Sequence, residues 1–373
     1  LDNALQGKAE AESRLAQVRE QSSSACFSAA DCCEWQYQIN GHWHSFGADA
    51  MELVQRAYME FLKDYKTNQV EITSGGSTRK LDFAAMQQVT PLSGIRRNIR
   101  LKLHTPSLWS KPVHHLFDQR VSWHMYVKDE SAGIRDAVQR FMSCTAHEQS
   151  ASHPSSECPL MRKVEIQSIW RVENVRLWQE YLHRIRRLQD TSKRVLLPIL
   201  PRMGSMLPDL ESDLKMLSGS DKNFGHVHEQ WLFHGTSYGK ADKIVMDGFD
   251  HRLSRRHMYG AGTYFTSQSC KSHQYTCDKH PGAACRCLAE RTLIIARVAL
   301  GDVHYTKKTL SENVRRPPER MQGNGHYDSI IANPGRMQHH PRGYQDHQEF
   351  VIFDKGQAYP AYVIQYTLAE PVL

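Results

Sequence analysis

The sequence predicts an α+β chain, on three observations. A hairpin signal stands near the start: Trp35-Gln36-Tyr37 alternates, Asn40-Gly41 supplies a tight turn, and Trp43 and Phe46 mark the return strand. Helical periodicity then recurs in separate blocks, over 48–63, 131–142 and 174–188. Short strands rich in aromatic and β-branched residues return at 229–233, 292–300 and 350–353.

Composition narrows the class. With 373 residues, 40% hydrophobic and 23% charged, the chain is globular rather than disordered and long enough for two to three domains. Its net charge of +7, with 21 His besides, leans mildly toward polyanionic partners. No apolar run approaches the roughly 20 residues of a membrane span, so no membrane partner is expected. The first 24 residues are polar and charged, unlike a signal peptide, and their start without Met reads as a fragment of a longer protein. Nine cysteines without framework spacing fit a reducing intracellular setting, nuclear and/or cytoplasmic.

Taken in order, residues 1–25 read as a helix-favouring polar tail, broken by Ser22-Ser23-Ser24. Residues 28–104 read as one domain. Its helix over 48–63 puts Met51, Leu53, Val54, Ala57, Phe61 and Leu62 on one face, and strands follow at 70–72, 81–83, 86–89 and 94–99. Trp35 and Trp43 are expected in its core. Residues 105–158 read as a partly helical bridge, with Ile134, Ala137, Val138 and Phe141 on one helix face and a small-polar linker over 147–159. Residues 159–373 hold the last domain. There Asn174 is a helix cap, Leu177, Trp178, Tyr181, Leu182, Ile185 and Leu188 form a core stripe, and a strand over 229–233 delivers His234.

Five short motifs stand in this last domain: His234-Gly235-Thr236, a run from Tyr259 to Phe265 centred on Gly260-Ala261-Gly262, Ser272 to Tyr275, Gln348-Glu349-Phe350, and Gln357-Ala358-Tyr359-Pro360. Singly, each is ordinary core or turn sequence. Together they supply what cleavage of a bond between a ring and a sugar requires. Aromatic faces from Tyr264 and Tyr275 hold a ring, and Gly235 lets backbone approach a ligand. His234 and Ser272 offer hydrogen bonds, and Glu349 offers a carboxylate beside developing positive charge.

At these residues, over roughly 160–373, the chain resembles the catalytic domain of the poly(ADP-ribose) polymerase family. The step from Glu349 to Gln357, followed by Ala-Tyr-Pro, looks most like the tankyrases. The resemblance implies an ADP-ribosyltransferase domain of split antiparallel sheets with flanking helices. It implies a catalytic triad of His234, Tyr264 and Glu349. It also implies an NAD+ site of His234, Gly235, Thr236, Asp250, Arg252, Tyr264, Ser272 and Tyr275, with residues 334–346 as the acceptor-side loop. The reaction would move ADP-ribose from NAD+ to protein acceptors, the chain itself among them, and release nicotinamide. Many relatives that add one ADP-ribose carry an apolar residue in place of Glu349, so the carboxylate here allows chain elongation. The alternatives are transfer of a single unit, or a catalytically idle scaffold that binds poly(ADP-ribose) or other proteins. The bridge has no room for the family's large regulatory helical domain, so direct DNA binding is not expected. RNA binding through charge alone is a further alternative, without any RNA-binding motif behind it.

Residues 28–104 resemble a WWE domain, a half-barrel of sheet plus one helix, at Trp35, Gly41, Trp43, Asp82-Phe83, Met86 and Arg96-Arg97-Asn98-Ile99. The second name-giving aromatic is offset to Tyr37. In some relatives this module binds the iso-ADP-ribose unit of poly(ADP-ribose). Tyr37, Gln88 and Arg97 are the residues placed to do so here, while an aromatic used by some binders is replaced near Arg79. Other such domains serve only protein interaction.

Cys277, His280, Cys285 and Cys287 place four soft ligands within eleven residues, a set Zn2+ takes tetrahedrally. Tankyrases resemble this with a small structural zinc site. The single residue between Cys285 and Cys287 departs from their spacing, leaving structural Zn2+, with Cys270 as a replacement ligand, or a metal-free loop.

Overall fold

The computed structural model describes residues 33–64, 69–74, 76–103, 105–109, 126–129, 131–146, 158–192, 208–219, 224, 227–253, 258–277, 290–311, 313–320, 325–332, 335–336, 344–345 and 347–368. The expected tail, most of the 147–159 linker and most of the 334–346 loop lie outside them. The chain divides into two compact units. No helix among the described residues is long and apolar enough to cross a membrane.

The first unit holds β1 (Cys33–Ile39), β2 (His42–Ser45), a helix (Ala48–Asp64), β3 (Gln69–Ser74), β4 (Ser77–Asp82), β5 (Gln87–Val89) and β6 (Arg96–Leu103). Its strands form one antiparallel sheet in the order β2-β1-β6-β5-β4-β3. Asn40 and Gly41 turn the first hairpin with φ of 49° and 82°, both left-handed, as the tightest hairpin turn demands. Trp35 is fully buried beneath the helix, edge-on to Tyr58 at 4.9 Å, and its indole N–H donates to Gln55 at 2.8 Å.

Trp43 corrects an expectation. The hairpin register sets it opposite Gln38, one residue out of phase with Trp35 and Tyr37. Alternation therefore turns it to the outer face of an edge strand. There it is half-buried under the Arg100 guanidinium, 4.3 Å from its ring centroid, rather than in the core.

The second unit holds β7 (Tyr126–Lys128), β8 (Val164–Val172), β9 (Glu229–Thr236), β10 (Thr263–Thr266), β11 (Arg291–Ala299), β12 (Val303–Thr306), β13 (Ser329–Ala332), β14 (Gly335–Arg336), β15 (Tyr344–Gln345), β16 (Glu349–Ile352) and β17 (Ala358–Leu368). Nine of these run in the order β12-β13-β16-β10-β9-β11-β17-β8-β7, and β14 pairs with β15. Pairing is antiparallel except between β12 and β13, whose connection is long enough for the crossover that parallel neighbours need. The long sheet is nearly severed at one place: β10 meets β9 at a single register position, Thr266 opposite Phe233. The expected split is therefore present, with four strands on one side and five on the other.

All nine residues of β11 are buried, which makes it the axis of the core. The helix Val175–Ser192 lays Leu177, Trp178, Tyr181, Leu182, Ile185 and Leu188 inward. Asn174 caps it, its side-chain oxygen accepting from the Leu177 amide at 3.1 Å. One charge cluster lies wholly inside. The Arg297 guanidinium donates to Glu229 at 2.8 Å, and the Tyr181 hydroxyl donates to the same carboxylate at 2.6 Å. A buried charge survives only with such full pairing.

The helix Ala132–Cys144, read from sequence as part of a bridge, sits within the second unit. Its apolar face needs a core, and Phe141 stacks on Phe233 of β9 at 4.4 Å. Arg140 pairs with the buried Asp213 at 2.6 Å.

Candidate active site

The implied site residues gather where the two halves of the long sheet diverge. His234 stands on β9 and Tyr264 on β10. The His234 Nδ1 lies 2.8 Å from the Tyr264 carbonyl oxygen. A carbonyl only accepts, so Nδ1 carries the proton and Nε2 is left as an acceptor. Burial lowers the His234 pKa from its ordinary value, more than the Tyr264 carbonyl raises it, so the ring is neutral near pH 7. Phe249 and Phe265 wall it at 5.2 and 5.5 Å between ring centroids.

Tyr264 is locked at its hydroxyl, which donates to the Gly260 carbonyl at 2.8 Å and accepts from the Tyr259 amide at 2.9 Å. The glycine-rich run thus curls back to grip the phenol that follows it. Burial first, and the Glu349 charge besides, push the Tyr264 pKa well up, so it stays a phenol.

Glu349 opens β16 directly opposite Thr266 of β10. It is buried, 6% exposed, yet it is a charged group that needs a partner. That partner is Lys271, whose ammonium lies 2.9 Å from Oε1. Burial alone would lower the Lys271 pKa, but Glu349 and Tyr275 outweigh it and the pKa rises. The same ammonium sits 5.5 Å from the Tyr275 ring centroid, and that ring is 46% exposed. Lys271 was not among the residues read from sequence. The signal was present: a buried carboxylate requires a cation, and Lys271 directly precedes Ser272 in a motif already assigned to the site.

Ser272 is buried on the short helix Ser269–His273, against Gly235 of β9. A Cβ on Gly235 would stand 1.8 Å from the Ser272 carbonyl oxygen, so only glycine lets these two backbones touch. Thr236 is buried at the end of the same strand. The structure thus brings together His234, Gly235, Thr236, Tyr264, Ser272, Tyr275 and Glu349.

Asp250 and Arg252, expected toward the adenosine half of a dinucleotide, engage each other. The Arg252 guanidinium donates to both carboxylate oxygens, at 2.8 and 2.7 Å, and holds the Asp250 pKa down at about 2. Of the four zinc candidates only Cys277 is described, and it is buried; His280, Cys285 and Cys287 lie outside the described residues. Among the described residues no group of three or more His, Cys, Asp or Glu is arranged to hold a metal. Cys270, the suggested replacement ligand, lies 3.3 Å from His347.

In the first unit, Tyr37, Gln88 and Arg97 share one face. Arg97 is opposite Gln88, and Ile99, two residues on, is opposite Tyr37. The Arg97 guanidinium stands 5.9 Å from the Tyr37 ring centroid, and Arg79 stands 5.8 Å from that of Phe46. The Gln88 side-chain oxygen is buried without a hydrogen-bond partner.

Comparison with known proteins agrees with both units. A WWE domain model matches residues 33–101. Among curated proteins, mouse protein mono-ADP-ribosyltransferase PARP12 is 30% identical over 55% of this chain, and mouse protein mono-ADP-ribosyltransferase PARP11 is 24% identical over 89% of it. The chain spans 24% of the length of that PARP12 and 91% of that PARP11. The family model for the poly(ADP-ribose) polymerase catalytic domain matches residues 146–368, across every strand of the split sheet but β7 and every residue gathered at it, and the chain belongs to that family.

Proposed function

We propose that the second unit cleaves NAD+ at the bond between nicotinamide and ribose and transfers ADP-ribose to a protein acceptor. One observation carries this reading: a neutral imidazole, a locked phenol and a buried, cation-paired carboxylate stand on three neighbouring strands, β9, β10 and β16, beside the place where the sheet parts. In this mechanism the Gly235 backbone and the Ser272 hydroxyl hold the carboxamide, while Tyr264 and Tyr275 flank the ring. His234 Nε2 accepts from a hydroxyl of the nicotinamide ribose. Nicotinamide leaves with the bonding electrons, and Glu349 stabilises the cationic sugar carbon it leaves behind. The acceptor attacks that carbon, and its proton passes to the Glu349 carboxylate and from there to solvent.

Transfer of a single unit is the first form of this reading, supported by relatives whose names are mono-ADP-ribosyltransferases. Chain elongation is the second, supported by the Glu349 carboxylate itself, which can polarise an attacking ribose hydroxyl. Purified protein with labelled NAD+ separates them on one gel: a single band for one unit, a ladder for chains. Absence of both label and released nicotinamide would leave an idle scaffold and defeat the proposal.

The first unit is proposed to hold an ADP-ribose unit of poly(ADP-ribose) through Tyr37, Gln88 and Arg97. The unpartnered Gln88 oxygen supports this, since a buried acceptor without a donor is costly unless a ligand supplies one. Structural zinc at Cys277, His280, Cys285 and Cys287 rests on sequence alone. Metal analysis tests it, with one zinc per chain expected and a metal-free, equally stable protein refuting it.

A further inference from the structure

Cys270 and His347 are both buried, at 0% and 6% exposure, and the Cys270 Sγ lies 3.3 Å from the His347 Nε2. The transfer mechanism uses neither. Their places in the chain matter more than their chemistry: Cys270 immediately precedes Lys271, and His347 stands two residues before Glu349.

The backbone ladder between β10 and β16 ends with Thr266 opposite Glu349. Beyond that point one chain turns into the short helix Ser269–His273 and the other has not yet entered its strand. Side chains continue the join where the ladder stops. The Gln348 amide donates to the Gln268 side-chain oxygen at 3.3 Å, and the Thr266 hydroxyl donates to that same oxygen at 3.0 Å. Cys270 meets His347, and Lys271 meets Glu349 at 2.9 Å. Three side-chain contacts therefore connect the segment carrying the cation to the segment carrying the acid. From the other side, the Ser269 hydroxyl ties the same helix to the Met142 carbonyl at 2.6 Å.

We propose that Cys270 and His347 form a positioning pair, which holds the helix carrying Lys271 and Ser272 against the start of β16 so that Glu349 faces the reacting sugar. This rests on the transferase reading above. A thiol and an imidazole can bond in either polarity, the thiol donating to Nε2 or Nε2–H donating to sulfur. Without the rung, Lys271 and Glu349 keep their charges but lose a fixed separation, and a misplacement of about 1 Å costs up to roughly a hundredfold in rate.

The test compares Cys270→Val, which keeps the volume but removes the hydrogen bond, with Cys270→Ser, which retains a donor and acceptor. His347→Phe serves as the second route should Cys270→Val fail to fold. C270V and H347F should each lower kcat by about tenfold or more while the KM for NAD+ changes by less than about twofold, and C270S should retain most of the rate. The C270V/H347F double variant should lose no more than the worse single one, because both remove the same rung. Lysine side-chain NMR at one neutral pH, without NAD+, adds a readout that needs no turnover. The Lys271 ammonium resonance should move in C270V and stay in place in C270S. Wild-type kcat and an unmoved Lys271 resonance in C270V would overturn the proposal, as would a loss in C270S equal to that in C270V. If the wild-type protein releases no nicotinamide, the transferase reading fails, and the Lys271 resonance still decides whether the pair orders Lys271.

Discussion

Replacing Lys271 with Met keeps the length of the side chain and removes its charge. Glu349 then remains buried without a cation. The two groups are 2.9 Å apart with side-chain exposures of 13% and 7%, an attraction of about 6 kcal/mol in an effective dielectric of about 20. Freeing the ammonium from its own desolvation offsets part of this, and breaking one side of such a buried pair costs about 3–5 kcal/mol net. At about 3 kcal/mol the melting temperature of the second unit falls by roughly 6–12 °C. A double variant separates this cause from lost packing: K271M/E349M, with no charge to bury, should recover most of the loss. The Lys271 pKa is raised above its ordinary 10.5 in the fold, so its contribution is full below 10.5 and is lost only as pH climbs through the raised value. Calorimetry near pH 7 is the assay. A K271M deficit below about 1 kcal/mol, or no recovery in the double variant, refutes the claim that this ion pair is buried and structural.

Other perturbations reach different parts of the molecule. Glu349→Gln should reduce nicotinamide release by about a hundredfold or more and abolish any chain growth, with NAD+ binding by calorimetry nearly intact; surviving long polymers would remove Glu349 from the mechanism. Gly235→Ala places a methyl 1.8 Å from a backbone oxygen that cannot step aside, so both nicotinamide affinity and thermal stability should fall, and a variant with unchanged melting would contradict the close approach. Gln88→Met removes a buried acceptor without a partner, so the first unit should be as stable or more stable by about 1 kcal/mol while ADP-ribose binding is lost; ligand titration and melting of the same sample check both halves.

What could be read in the sequence was whatever carries its own local physics. Asn40-Gly41 announces a left-handed turn because few other pairs tolerate it, and Asn174 announces a cap because its side chain reaches an amide three residues on. The stripe from Leu177 to Leu188 needs only helical spacing. The site motifs were legible for a different reason: under the proposed transferase reading, each residue type takes a separate task around one ring and one sugar. What stayed hidden depends on register between distant strands. Trp43 leaves the core because the hairpin pairs it with Gln38 rather than with Tyr37. Lys271 becomes the counter-ion of Glu349 only because β10 and β16 align Thr266 with Glu349, across a long separation in sequence. The pairing of Cys270 with His347 follows from that same alignment. The acid of the site is therefore inseparable from a strand pairing that no local pattern encodes. A substitution that slipped β16 by one residue would turn Glu349 to the opposite face and undo the ion pair, while every motif remained intact.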